Sequence, residues 1–252
     1  MIARKILCCM LLAALIPLLP ISSSPAEAQQ AQSIKETLDA WDVEIGATLD
    51  LNGKYIWRGQ TLVDDPVLQP GASISAKGFT ASFWGNYTLQ EDREWTEYDY
   101  ALDYTTALDV IHPSLEKVSA SAGYIFYDFP NISADNSSQE VYASIGVDTL
   151  LSPSVAVYHD FDEGDGTYYE ASVSHSVPLD KLSLNLGTTV GYNDGQWGYD
   201  SSFSAALFSA SVTIPFTERV SLEPGVFYSL ALDNQYDDEF YAGFSLAIQL
   251  WD

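Results

Sequence analysis

Few residues in this sequence stand at spacings that could carry bond-making chemistry. Ser174-His175-Ser176 comes nearest to a nucleophile beside its base. A hydrolytic site on strands needs serine and histidine on one face, two residues apart or across a strand pair. Here both serines fall on the face opposite His175, whose same-face neighbours are Val173 and Val177. His159 stands between Val157 and Phe161, and His112 lies in a connector. Three scattered histidines and a lone Cys8-Cys9 pair cannot assemble a zinc cluster. The run from Asp160 to Gly166 opens like a calcium loop, yet its fifth position is Gly164, where an oxygen ligand is required. No catalytic residue, cofactor or metal ligand set is therefore expected.

What the sequence does order is charge. Glu44, Asp50, Glu97, Asp99, Asp103, Glu140, Asp148, Asp160, Glu170 and Glu223 fall on one parity of alternating segments, against chiefly Lys54 and Arg58. Carboxylates gathered around a pore favour cations over anions. Arg58 is expected to pair with one of them, Glu97 or Asp99.

The elements that would position these groups have a period of two. Val43, Ile45, Ala47, Leu49, Leu51, Tyr55 and Trp57 share one parity, and Glu44, Thr48, Asp50, Asn52, Lys54 and Arg58 hold the other. Successive side chains of a strand point to opposite faces, so the two faces meet different surroundings. Twelve such segments start near Val43, Val67, Phe79, Thr96, Val118, Glu140, Ser154, Tyr168, Leu182, Phe203, Val220 and Phe240. Their connectors alternate. Lys77-Gly78, Thr149 to Ser152, Pro178 to Lys181 and Thr217 to Arg219 are tight. Gln60 to Asp65, Gln90 to Glu94, Asp128 to Ser138, Asp162 to Gly166, Asn193 to Asp200 and Asp233 to Glu239 are longer and mostly acidic. Leu108 to Lys117 is long for the tight set. The reading is all-β: a closed antiparallel transmembrane barrel of about 12 strands.

The polar parity decides which face is inside. A soluble sheet carries many lysines on its solvent face, whereas this parity holds Ser, Thr, Gly, Asn and carboxylates. The apolar parity must then face lipid, with Tyr55, Trp57, Tyr87, Tyr192, Tyr228 and Phe240 as interfacial girdle aromatics near strand ends. On this reading Arg58 faces the lumen at the rim of the first strand.

Several of these residues, taken in order, resemble the TorF-type porin family of small outer-membrane β-barrel proteins. The resemblance rests on Tyr55-Ile56-Trp57-Arg58-Gly59, Pro66 and Gln69, Gly78-Phe79 with Trp84-Gly85, Glu97-Tyr98-Asp99, and the stretch Tyr158 to Glu170. It spans most of the chain after the leader and is strongest in the first third. The C-terminus departs from the usual aromatic ending, because Trp251 is followed by Asp252. The resemblance implies a porin-like role.

The chain's start has the form of an export signal. Arg4 and Lys5 precede the apolar run Ile6 to Leu19, and Ala26-Glu27-Ala28 is a small-residue cleavage site. Residues 1–28 are read as a signal peptide, 29–41 as a leader with a short amphipathic helix capped by Ser33 and Glu36, and 42–252 as the barrel. Cleavage removes both cysteines, two of 10 basic and one of 35 acidic residues, taking the formal charge from −25 to −26. Such acidity argues against nucleic acid as a partner. The expected location is the bacterial outer membrane, with both termini periplasmic. The expected partners are outer-membrane lipid, lipopolysaccharide, the barrel-assembly machinery, and small solutes or cations. Three functions stay open: a cation-preferring porin-like channel; a nonconducting structural or adhesion barrel whose acidic loops bind divalent cations, lipopolysaccharide or a partner; and, least favoured, an outer-membrane lipid hydrolase.

Overall fold

Twelve antiparallel strands close on themselves in the computed structural model, which describes residues 25–90, 93–131 and 136–251. In chain order the strands are β1 (Val43–Asn52), β2 (Tyr55–Trp57), β3 (Gln60–Val63), β4 (Val67–Ala76), β5 (Phe79–Thr88), β6 (Trp95–Ala107) and β7 (Val118–Asp128). They continue with β8 (Ser137–Val147), β9 (Ser154–Asp160), β10 (Gly166–Leu179), β11 (Leu182–Asp194), β12 (Ser202–Pro215), β13 (Val220–Ala231) and β14 (Glu239–Trp251). Each barrel strand pairs with its neighbours, and β1 closes the ring by pairing with both β4 and β14. Closure leaves no edge, which matters in lipid because an unpaired backbone group there costs several kcal/mol. The twelve barrel strands begin close to the twelve positions that sequence alternation marks. The short β2–β3 pair forms a separate two-stranded sheet.

Register carries parity from strand to strand. Thr48, Asp50 and Asn52 of β1 stand opposite Gly71, Gln69 and Val67, while Leu49 and Leu51 stand opposite Pro70 and Leu68. The first set faces the lumen and the second faces outward. The outer face is an exposed apolar surface: Leu102 is 55% exposed, Val155 57% and Phe244 43%. The fully buried side chains inside are largely polar, among them Asn86, Ser138, Glu140 and Asn193. This arrangement inverts a soluble core. An apolar belt of that extent on a water-soluble chain would aggregate, whereas lipid accepts it.

Two features differ from the sequence reading. The first strand stops at Asn52 and does not run on to Trp57, so its parity does not carry past Gly53 and Lys54. The helix α1 (Pro25–Trp41) begins eight residues before Ser33, so Ser33 lies inside it and is not its cap. The Ser33 carbonyl instead accepts a hydrogen bond from Thr37 Oγ1 at 2.9 Å. The helix runs across the expected cleavage point after Ala28, and residues 1–24 of the expected signal peptide lie outside the described residues. The long connector after β6 folds into two 3-10 turns, Leu108–Val110 and Pro113–Leu115, the second capped by the His112 ring.

The lipid face can be tested position by position. Leu246 faces outward in mid-strand, whereas Ser245 stands in register with Asp50 on one side and Glu223 on the other. Leu246→Arg is expected to cost about 2–4 kcal/mol of folding stability in lipid vesicles. Ser245→Arg, which meets two carboxylates, should cost clearly less in urea-gradient refolding. Equal costs would place both residues in one environment and refute the inside-out assignment.

Candidate functional site

The segment that leaves β1 folds into the barrel. β2 and β3 form a hairpin whose turn is Arg58-Gly59, with Trp57 opposite Gln60. Both turn residues have positive φ, 52° for Arg58 and 85° for Gly59. Such a two-residue turn suits the twist of a tight hairpin. Glycine adopts it freely, and here nothing larger fits: a Cβ on Gly59 would lie 2.9 Å from Ala205 Cβ. Arg58 holds a left-handed conformation that a long side chain rarely adopts, at a cost of about 1–3 kcal/mol that its surroundings must offset.

Those surroundings are a polar cluster on the barrel wall. The Arg58 guanidinium donates to both oxygens of Glu140, at 2.7 and 2.9 Å, and to Gln196 Oε1 at 2.6 Å. Glu140 also accepts from the Tyr127 hydroxyl at 3.0 Å and from Gln196 Nε2 at 2.8 Å. The ion pair is removed from solvent, with side-chain exposures of 8% for Arg58 and 0% for Glu140. Three rings pack on the guanidinium: Trp57 and Tyr158 at 4.4 Å and Tyr168 at 4.7 Å from the ring centroids. Burial opposes the charge of Arg58, and Glu140 with the adjacent phenols raises the guanidinium pKa above its ordinary value. The pair is thus bidentate and flanked by further hydrogen bonds, the conditions under which a buried pair is tolerated.

The hairpin spans the lumen. At its start, Tyr55 packs on Trp84 of β5 at 5.3 Å, beside Glu97 of β6. Burial, then Glu97 and Asp99, pushes the Tyr55 phenol well above its usual range. At its tip, Gly59 meets Ala205 of β12 and Tyr236. Lys54 ties the hairpin's base to Asp64 and Glu239, and both partners raise its pKa. The connector after β11 closes over the tip: the Gln196 backbone N–H donates to Asn193 at 2.8 Å, and Asn193 donates to the Tyr236 hydroxyl at 3.2 Å. The long-loop half of the barrel is therefore filled by its own chain.

Tyr55 and Trp57 are accordingly not girdle residues. Both sit inside, because the bend at Gly53-Lys54 re-aims the segment that alternation would have continued outward. Tyr87, Tyr192 and Tyr228 lie on the outer face, in register with Leu68, Phe203 and Phe240. Arg58 faces the lumen, but its partner is Glu140 and not Glu97 or Asp99.

The wall carboxylates divide by their partners. Asp160 is fully buried and accepts from Ser138 Oγ and from the backbone N–H groups of Asp162 and Gly164 at 3.0 and 3.1 Å. It shapes the turn after β9 and is not a free lumen charge. Asp103 accepts from the Tyr142 hydroxyl at 2.6 Å, and Glu223 accepts from Ser211, Thr213 and Asn185. Glu44 is exposed near the short-turn rim. Asp148 lies in the turn beyond β8 and not on the lumen wall, because the strand ends at Val147. Asp50 neighbours Ser245 and keeps one buried oxygen without a partner. Glu97 and Asp99 stand two apart on β6, and Asp99 keeps one buried oxygen without a hydrogen-bond partner. Glu170 faces the lumen and lines a cavity beside Arg58.

Sequence alternation missed Gln196, Tyr127, Tyr158, Tyr168 and Tyr236. Glycines beside two inward tyrosines, Tyr168 and Tyr142, carried a signal. A Cβ on Gly191 would collide with the Tyr168 hydroxyl, and one on Gly123 with the Tyr142 ring. Glycine on the lumen parity thus marks where an inward ring crosses the wall.

Two cavities lie against these walls. One of about 590 Å³ lies at the short-turn end, lined in part by Gly46, Thr48, Gly71, Ser73, Ser82 and Gln249. The other, about 330 Å³, lies against the hairpin tip. Among the described residues, no group of three His, Cys, Asp or Glu side chains could hold a metal. Nor does a carboxylate orient any histidine: His112 bonds Ser114, His159 bonds Thr167, and His175 bonds the Leu150 carbonyl.

No family model matches the chain, and no curated protein matches it by sequence. Solved structures do match in fold. An outer membrane channel from Pseudomonas putida F1 aligns with a TM-score of 0.51 at 11% identity, over 82% of this chain and 95% of that one. The NanC porin aligns at 0.50 and 12% identity, over 80% and 98%. LpxR from Salmonella typhimurium aligns at 0.50 and 9%, over 81% and 99%. At these identities the likeness is one of fold: this chain has the outer-membrane β-barrel architecture.

The ion pair sets a stability expectation. Arg58→Leu leaves Glu140 buried and unpaired, so it should cost about 3–5 kcal/mol in unfolding from lipid vesicles. Lys54→Leu breaks a partly exposed pair and should cost about 1 kcal/mol or less. A cost at Arg58 no larger than that at Lys54 would mean the hairpin is not anchored as described.

Proposed function

We propose that this chain is a porin-like channel of the bacterial outer membrane for small solutes, preferring cations. It reaches that membrane by export with a signal peptide cleaved near Ala28. The observation that carries the reading is the charge of the lumen wall. Asp50, Glu97, Asp99, Asp103, Glu170 and Glu223 face the interior, while the cations Arg58 and Lys54 are met by Glu140 and by Asp64 with Glu239. An interior of that sign concentrates cations and repels anions. The cavity at the short-turn end, lined by glycine, serine and threonine, supplies a watery entrance, and the hairpin is the constriction a solute must pass. The ordered matches to the TorF-type porins support the same reading. Lipopolysaccharide outside and the assembly machinery during insertion are its proposed partners.

The second reading, a nonconducting barrel, is favoured by the same hairpin, because its anchor is fully buried and the long-loop half is filled. A lipid hydrolase is not proposed, since the histidines lack an orienting acid among the described residues.

Reversal potential across a KCl gradient separates the two readings. Wild type is expected to prefer cations, and the Glu97→Gln, Asp99→Asn, Asp103→Asn triple variant to prefer them less. The difference should be visible at 0.1 M salt and nearly lost at 1 M, as the Debye length falls from about 10 to about 3 Å. Anion preference in the wild type would contradict the charge argument. Refolded protein with no channel events would establish the nonconducting barrel instead.

A further inference from the structure

The cavity of about 330 Å³ against the hairpin tip has a chemistry of its own. Its size lies at the lower end of ligand sites, which run from about 300 to 1,000 Å³. Trp57, Tyr127, Tyr158 and Tyr168 supply aromatic walls, and Ile125 and Leu207 add apolar surface. Two carboxyl groups face it, Asp99 and Glu170. Asp99 keeps one buried oxygen with no hydrogen-bond partner. Among the described residues the one basic side chain lining the cavity, Arg58, already has its charge met by Glu140.

These rings accept a positive group face-on, because Arg58 itself lies 4.4 to 4.7 Å from three of them. A ring face attracts a cation through its quadrupole, more strongly where water is excluded. The same cavity wall therefore offers aromatic faces, apolar surface and two carboxyl groups, one of them with an oxygen open to a donor. We propose that this cavity is a binding site for a small organic ammonium ion carrying an apolar or aromatic body. The ammonium would sit towards Glu170 and Asp99, and the body would lie against the tyrosines and Leu207. An inorganic cation would use the carboxylates but leave the rings unused. A neutral solute would leave the carboxylates unpaired. An organic anion would meet two carboxyl groups and an arginine already satisfied. The inference deepens the cation-channel reading by naming a solute class, and it rests on that reading for its physiological sense.

The test is calorimetric titration of refolded full-length mature protein with benzylammonium, benzyl alcohol and benzoate, three probes of nearly one shape and different charge. Benzylammonium should bind at least tenfold more tightly than either of the others. Glu170→Gln should weaken it about tenfold, and Thr189→Phe, which fills the cavity without altering a charge, should abolish it, circular dichroism confirming that each variant folds. Benzyl alcohol binding as well as benzylammonium would reduce the cavity to an apolar pocket and overturn the proposal. Benzoate binding best would make Arg58 the anchor and overturn it too, as would no binding of benzylammonium. Because no current is measured, binding without channel events would defeat only the channel reading. Channel events without binding would defeat only this proposal.

Discussion

Everything in the upper half of this barrel depends on one buried ion pair. Arg58 reaches Glu140 only because its own backbone takes a left-handed turn, and the turn is held only because the guanidinium is met. Each half is unfavourable alone: a strained residue on one side, a carboxylate at 0% exposure on the other. Together they fix the hairpin across the lumen, and the rings of Trp57, Tyr158 and Tyr168 then have a cation to pack on. Removing Arg58 leaves the Glu140 carboxylate buried with only Tyr127 and Gln196 to meet it, and removing Glu140 leaves the guanidinium with Gln196 alone among its hydrogen-bond partners.

This anchor explains why the lumen is asymmetric. Towards the long loops, the connector carrying Gln196 adds its side chain to the same pair, and Asn193 links that connector to Tyr236. Towards the short turns Glu223 gathers Ser211, Thr213 and Asn185 on the wall, and a cavity lined in part by small residues stays open beside it. The outer surface is indifferent to this difference. It presents apolar side chains to lipid along the whole height of the wall, and its stability comes from the closed ladder and from the belt.

The barrel itself was legible because alternation is local: each strand reports its own two faces, and twelve such reports agree. The carboxylates' parity was legible for the same reason. What escaped was everything that depends on a bend or on a meeting of distant segments. Tyr55 and Trp57 keep the parity of β1 on paper, but Gly53 and Lys54 break the strand and alternation says nothing across a break. The Arg58-Gly59 turn had a sequence sign in its glycine, flanked by Tyr-Ile-Trp and Gln-Thr-Leu-Val. Its partner had none, since Glu140 is 82 residues away and charge alone pointed to Glu97 or Asp99. Asp160 likewise reads as a lumen charge by parity, and only the fold of its following loop turns it into a structural acceptor.

The placement of Arg58 is the claim on which the constriction and the cavity at the hairpin tip both rest, and a protease can examine it directly. In refolded mature protein, the Arg58–Gly59 bond lies inside the lumen, while Lys77 and Arg93 are exposed. Limited trypsin digestion read by mass spectrometry should cut after Lys77 and Arg93 and spare Arg58. In the Glu140→Gln variant, whose hairpin has lost its charged anchor, cleavage after Arg58 should rise at least tenfold. Cleavage of the folded wild type after Arg58 at the rate seen after Arg93 would contradict the anchored hairpin.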